Sequence, residues 1–206
     1  MTAYPLLLDL SARTVLLVGG GAVAARKAAG LLEAGAGRVR CVSPAFHPEM
    51  PAGVERVVGT YDQSHLIGAT LVFATTNDPA VNSAVVQDAR AIGILAHRAD
   101  SDDSEPGDFT TPAQHQDGAV TILVSAGGSP ALARRIKADL AAKLDRRHVR
   151  MADAMRTIRP MVLAEVPDPA LRRTIFIALA GEEAIDLLTV AGEAALIEWV
   201  QSRYTT

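Results

Sequence analysis

The alternation of apolar and polar positions divides the chain into two regimes. In the first, short apolar runs alternate with stretches of helical period. Thr14 to Val18 is a continuous apolar run closed by Gly19, Gly20 and Gly21, after which Val23, Ala28, Leu31 and Leu32 recur at helical spacing through Ala34. This predicts strand, tight turn, helix. Arg38 to Val42 is the next strand, broken by Pro44, and Val54 to Val58 and Thr70 to Ala74 are the third and fourth. Asp78 followed by Pro79 reads as an N-cap with proline in the first helical position, opening a helix to about Ala91, and Ile94 to Ala96 is a short fifth strand. Strands separated in this way predict a parallel, doubly wound sheet.

After Asp100 the pattern changes. Phe109 to Pro112 and Ala119 to Val124 read as two strands joined by a turn at Gln116, Asp117 and Gly118, a hairpin and not another βα unit. Ser129 and Pro130 cap a helix, and nearly everything beyond is helical, punctuated by Pro160, Pro167, Pro169 and Gly181. The expected fold is therefore α/β: a Rossmann-like domain over residues 1–112, a small hairpin and helix segment over 113–144, and a helical domain over 145–206.

Composition narrows the function classes. The chain has 206 residues, 49% of them apolar, which is enough for a sizeable core. No apolar run reaches the roughly 18 to 20 residues of a membrane span. Met1 to Leu10 has neither a basic start nor a small-residue cleavage site, so a cytoplasmic protein is expected. The single cysteine, Cys41, forms no internal disulfide, and His47, His65, His97, His115 and His148 show no metal-ligand spacing, so no metal site is expected. A net charge of −3 and few aromatics argue against nucleic acid as a partner. No nucleophile elbow is present. Charge is nonetheless uneven: Asp100 to Asp117 is acidic, whereas Arg134 to Arg159 carries Arg134, Arg135, Lys137, Lys143, Arg146, Arg147, Arg150, Arg156 and Arg159 against three aspartates. That run is either a solvated helix face or a basic wall for a polyanionic small molecule.

Candidate chemistry gathers at strand ends. Gly19-Gly20-Gly21-Ala22-Val23-Ala24 matches G-x-G-x-x-A after a strand and at a helix start. Gly19 permits the turn, Gly21 lets backbone approach a pyrophosphate, and the helix N-terminus supplies free N–H groups. The acidic residue that usually ends the second strand is replaced by Cys41, Val42, Ser43 and Pro44, which leaves NAD and NADP both open. Thr75, Thr76 and Asn77 end the fourth strand on the ligand edge, where they can face the nicotinamide or its ribose. Asp100, just past the fifth strand, is a candidate base whose pKa partial burial would raise, with His97 a second acid–base candidate.

Three segments together are more specific: "YPLLLDLSARTVLLVGGGAVAARKAAGLLEAGA", "LVFATTNDPAVNSAV", and the pair "FTTPA" and "VSAGGSPALARRIKADL". In this order the chain resembles the precorrin-2 dehydrogenase and sirohydrochlorin ferrochelatase family, well over residues 4–145 and loosely in the tail. The resemblance implies NAD-dependent oxidation of precorrin-2 to sirohydrochlorin, with Asp100 as the catalytic aspartate. It implies cofactor contacts at Ala22, Val23, Pro44 and Ala45 and a homodimer built on 113–144. Substrate contacts are expected at His97, Ser125, Arg134 and Arg135. Some family members also insert Fe(II) or Co(II) into sirohydrochlorin. Relatives often carry Asn where His97 stands and a longer loop than Ser125 to Pro130. Other readings are a nicotinamide oxidoreductase of a different polyanion, a non-catalytic dinucleotide sensor, and a tetrapyrrole or metal carrier.

Overall fold

The computed structural model describes residues 4–100 and 106–204. The chain divides between Thr111 and Pro112 into two compact units.

In the first unit, β1 (Thr14–Val18), β2 (Arg38–Ser43), β3 (Glu55–Val58), β4 (Leu71–Ala74) and β5 (Leu95–Arg98) form one parallel sheet in the order β3-β2-β1-β4-β5. The order reverses between β1 and β4, so their carboxyl ends diverge into a crevice, the usual ligand position of such sheets. β1 is central, and Val15, Leu16, Leu17 and Val18 are buried on both faces, which is why it reads as an unbroken apolar run. α1 (Ala22–Glu33) covers one face through Ala24, Ala25 and Ala28 against Val15, Leu17, Val39, Cys41 and Phe73. α2 (Pro79–Ala91) covers the other through Val85, Val86 and Ala89 against Leu16, Val18, Val72 and Ala74. Asp78 caps α2 by accepting the Ala80 N–H at 2.9 Å, with Pro79 in the first turn.

Three expectations need correction. The fifth strand runs on to Arg98, so His97 and Arg98 lie within it. Residues 109–112 form no strand, because Phe109 and the Asp108 before it are committed to the first unit. Asp108 flanks the outer edge of β5, its N–H donating to the Ala96 carbonyl at 2.7 Å and its carboxylate accepting the Ala96 N–H at 2.9 Å, while Arg90 holds it from α2 at 2.8 Å. Phe109 then packs edge-on to Phe73. The hairpin is β6 (Ala113–Asp117) with β7 (Val120–Val124), and the pairing of Asp117 with Val120 makes its turn Gly118-Ala119, with Gly118 at positive φ.

The second unit continues with α3 (Pro130–Ala142), capped by Ser129, then α4 (Arg146–Glu165), α5 (Pro169–Leu179) and α6 (Glu182–Tyr204), the last broken at Gly192. Pro160 lies inside α4 without ending it, contrary to the expected break. The buried side of α4, with Met151, Ala154, Ile158 and Val162, forms one core with Ile175, Leu179, Leu188 and Leu196 and holds the helix together past the missing N–H. Among the described residues no helix is long and apolar enough to cross a membrane.

Candidate dinucleotide site

The crevice at the carboxyl ends of β1, β2 and β4 is a cavity of ≈ 600 Å³. Gly19, Gly20, Gly21, Ala22 and Val23 line it from the β1–α1 turn, Ser43 and Pro44 from the end of β2, and Thr75, Thr76 and Asn77 from the end of β4. The three glycines do different work. At Gly19 φ is +105°, and a Cβ would meet the Thr75 backbone at 2.8 Å. At Gly20 a Cβ would sit 2.2 Å from the Ala45 carbonyl oxygen and 2.8 Å from the Ser43 hydroxyl. At Gly21 a Cβ would meet nothing within 4 Å, so this glycine faces open space. Gly21 is also the N-cap of α1 and offers no side-chain acceptor to the first helical N–H groups. Backbone donors at a positive helix end, next to unfilled volume that only glycine leaves open, fit the pyrophosphate of a dinucleotide.

Hydrogen bonds make the β4 end rigid. Thr75 Oγ1 donates to the Val18 carbonyl at 2.8 Å. The buried Asn82 accepts from the Thr76 N–H at 3.1 Å and from its hydroxyl at 2.8 Å, and its amide donates to the Thr76 carbonyl at 3.1 Å and to Asp100 Oδ2 at 2.8 Å. Asp100 is thereby tied to the cofactor loop. It also accepts from Arg98 Nε at 2.5 Å and Nη2 at 3.1 Å. The Arg98 side chain is only 1% exposed and also donates to Ser83 Oγ at 2.9 Å. The guanidinium holds the Asp100 carboxyl below the usual carboxylate range against the opposing effect of burial. The expectation that burial would raise this pKa is overturned, because the nearest group to Asp100 is a cation.

A second cluster lies on the α1 face. Lys27 Nζ is 3.2 Å from Thr111 Oγ1 and 5.0 Å from the centroid of the Phe73 ring. His97, 8% exposed, packs between Phe73 and Phe109, with Nε2 3.5 Å from Thr111 Oγ1 and Nδ1 buried and, among the described residues, without a hydrogen-bond partner. Desolvation lowers the Lys27 pKa to about 8 and the His97 pKa to about 4. The imidazole is neutral at physiological pH.

Comparison with known proteins agrees with this geometry. A family model described as "Putative NAD(P)-binding" matches residues 6–113. The chain belongs to this family. Its NAD(P)-binding domain is the first unit, and its similarity extends further. The siroheme synthase of Chromobacterium violaceum is 36% identical over 201 residues, covering 95% of this chain and 42% of that relative's length. The siroheme synthase of Nitrosomonas eutropha is 37% identical over 159 residues, covering 74% of this chain and 33% of that protein. The chain thus spans about two fifths of the length of the curated relatives it matches. A solved structure, "SirC, precorrin-2 dehydrogenase", superposes with a TM-score of 0.74 at 22% identity, over 97% of this chain and 100% of its own, and so shares the fold.

Within the NAD(P)-binding domain, the glycines, Ala22, Val23, Ser43, Pro44, Thr75, Thr76 and Asn77 come together around one cavity, whereas Ala45 stands behind Gly20 and outside the lining. His97 packs between Phe73 and Phe109 on the α1 face, outside the cavity lining. Ser125, exposed after β7, and Arg134 and Arg135 on α3 belong to the second unit, where Arg135 pairs with Asp139 at 3.5 Å. The basic run is not a single wall: Arg146 pairs with Asp117, and Arg147 with Asp145, Glu182 and Asp186. Asn82, Arg98, Lys27 and the cavity residues Gly59, Thr60 and Tyr61 escaped sequence reasoning. Asn82 and Arg98 carried a signal, since each interrupts an apolar helix or strand where burial demands a partner. Among the described residues no group of three or more His, Cys, Asp or Glu side chains gathers to hold a metal ion.

Proposed function

We propose that this chain is a cytoplasmic, homodimeric dehydrogenase that oxidises precorrin-2 to sirohydrochlorin with NAD. The observation that carries this reading is the glycine-walled cavity with Asp100 tied to its β4 loop, in a chain that aligns over 95% of its length with a siroheme synthase. NAD is favoured by the lining, where among the described residues the one carboxylate is Asp78 and no lysine or arginine stands ready for a 2′-phosphate. Gly19 to Val23 hold the pyrophosphate, Ser43 and Pro44 border the adenosine ribose, and Thr75 to Asn77 border the nicotinamide half.

The dinucleotide supplies the hydride acceptor, and the protein supplies position and electrostatics. As hydride leaves, positive charge develops on the tetrapyrrole, and a carboxylate that Arg98 keeps ionised is suited to face that charge. The proton then leaves a far more acidic species and needs only a weak base, which Asp100 or water provides. Asp100 is thus assigned electrostatic work first and proton transfer second. Ser125, Arg134 and Arg135 are retained as contacts for substrate carboxylates. The stripe Leu132, Ile136 and Leu140 on α3, exposed together with Leu123 of β7, supports dimerisation through residues 113–144. The hairpin and α3 form the dimerisation segment, and residues 145–206 form a helical domain.

Anaerobic incubation of the purified chain with enzymatically made precorrin-2 and NAD tests the reading. NADH and the sirohydrochlorin spectrum should appear together in equal amounts. Adding Fe(II) or Co(II) afterwards tests chelation, where the metal ion is substrate, and uptake faster than the protein-free blank establishes it. Folded protein that binds NAD yet yields no NADH would overturn the dehydrogenase.

A further inference from the structure

Asn82 lies on α2 within the first unit, is fully buried, and stands outside the lining of the dinucleotide cavity, as does Asp100. A polar amide with no exposed surface is costly unless each of its bonding positions is filled. Here all four are. The amide oxygen accepts from the Thr76 N–H and hydroxyl, and the amide NH2 gives one proton to the Thr76 carbonyl and the other to Asp100 Oδ2. A reversed amide would set its oxygen against the Thr76 carbonyl and the Asp100 carboxylate, and its NH2 against the Thr76 N–H, so one orientation alone satisfies the network. Thr76 lines the cavity and Asp100 follows the end of β5, and a single side chain joins them. Arg98 grips the carboxylate through Nε and Nη2 and is itself bonded to Ser83 Oγ of α2, so Asp100 is held from two sides.

We infer that Asn82 is a positioning residue that couples the cavity to Asp100, so that NAD binding and the placement of the carboxylate strengthen each other. Thr76 cannot shift against a bound dinucleotide without opening a bond to Asn82, and Asn82 cannot follow it without opening the bond to Asp100. Either break leaves a polar atom unpaired around a side chain that water does not reach. The β4 loop and the carboxylate therefore share one joint arrangement, and what favours one end favours the other equally, because a coupling free energy is reciprocal. The inference rests on the cavity being the NAD site and deepens the function proposed above: a chain loaded with NAD presents a fixed carboxylate, and an empty one a looser carboxylate.

Calorimetric titration of the full chain with NAD alone, in the absence of any tetrapyrrole, tests it as a double-mutant cycle. Asp100→Ala should weaken NAD about fivefold although Asp100 does not line the cavity, and Asn82→Ala should weaken it about as much. The double substitution should lose no more than about twofold beyond either alone. A second measurement needs no substitution and decides the matter if either variant fails to fold. In nitrogen–proton correlation NMR of the parent, the side-chain NH2 signals of Asn82 should move when NAD is added, which an asparagine that merely fills space would not show. Losses that multiply in the double variant at unchanged circular dichroism, an NAD affinity untouched by Asp100→Ala, or NH2 signals that stay in place each overturn the coupling. A parent chain that binds no NAD overturns the cavity as the cofactor site and the coupling with it. The full cycle without NADH formation from precorrin-2 removes the dehydrogenase and leaves the coupling standing.

Discussion

At the scale of single residues, Asp100 and Lys27 show opposite treatments of charge. Asp100 is ionised and held by a buried guanidinium, so Asp100→Ala removes a charged partner of Arg98 and should cost about 2 kcal/mol in urea unfolding. An activity loss in that variant would therefore mix chemistry with stability. Asp100→Asn keeps the shape and is the cleaner kinetic probe. Because the folded carboxyl lies below its ordinary value of 3.8, its contribution to stability is present above that pH and is lost as the pH falls through the lower folded value. The Asp100→Asn and parent unfolding curves should accordingly converge in acid. Lys27 is the reverse case. Its folded pKa of about 8 lies below the ordinary 10.5, so between those values the unfolded chain binds the extra proton and the fold gains stability as pH rises. Lys27→Met keeps the apolar stem, and its melting temperature should exceed the parent's at pH 7 and match it at pH 10.5. A parent that melts higher at pH 7 would show that the Phe73 and Thr111 contacts outweigh desolvation.

At the scale of elements, the β1–α1 turn separates folding from binding within three residues. Gly20→Ala drives a Cβ into the Ala45 carbonyl and should destabilise the first unit by about 2 to 3 kcal/mol. Gly21→Val fills only open volume and should cost less than about 1 kcal/mol, as a poorer cap, while weakening NAD at least about tenfold. Calorimetric titration and thermal unfolding of the pair separate these effects, and an NAD affinity unchanged by Gly21→Val would remove the pyrophosphate assignment. The turn was legible in the sequence because glycine spacing, the apolar β1 run and the helical period after it all obey local rules. So were the caps at Asp78 and Ser129. The end of β5 was not, because His97 and Arg98 look polar and only the packing of Phe73, Phe109 and Ser83 around them makes them strand residues. The hairpin start was misjudged for a related reason. Phe109 has strand character, but its ring and the preceding Asp108 are claimed by the first unit. The clamp on Asp100 depends on Asn82 and Arg98 meeting across α2 and β5, and no local pattern reports such a meeting.

At the scale of the whole molecule, the chain offers a cofactor unit and a second unit whose exposed apolar stripe asks for a partner. Ile136→Asp places a charge in the middle of that stripe and should halve the mass seen by light scattering while sparing NAD affinity. A parent protein that already scatters as a single chain would remove the dimer. The sheet itself is finite for a chemical reason. A strand at the margin of a parallel sheet exposes free N–H and C=O groups that can recruit a strand from any neighbour. At β5 the Asp108 backbone and side chain occupy both polar groups of Ala96, imitating one rung of a ladder where the described residues place no sixth strand, and Arg90 bolts the imitation in place. A single aspartate thus works as a stopper against lateral growth. The sheet should be guarded against fibril formation and domain exchange on that margin, leaving the short β3 as the side on which concentrated protein would begin to polymerise.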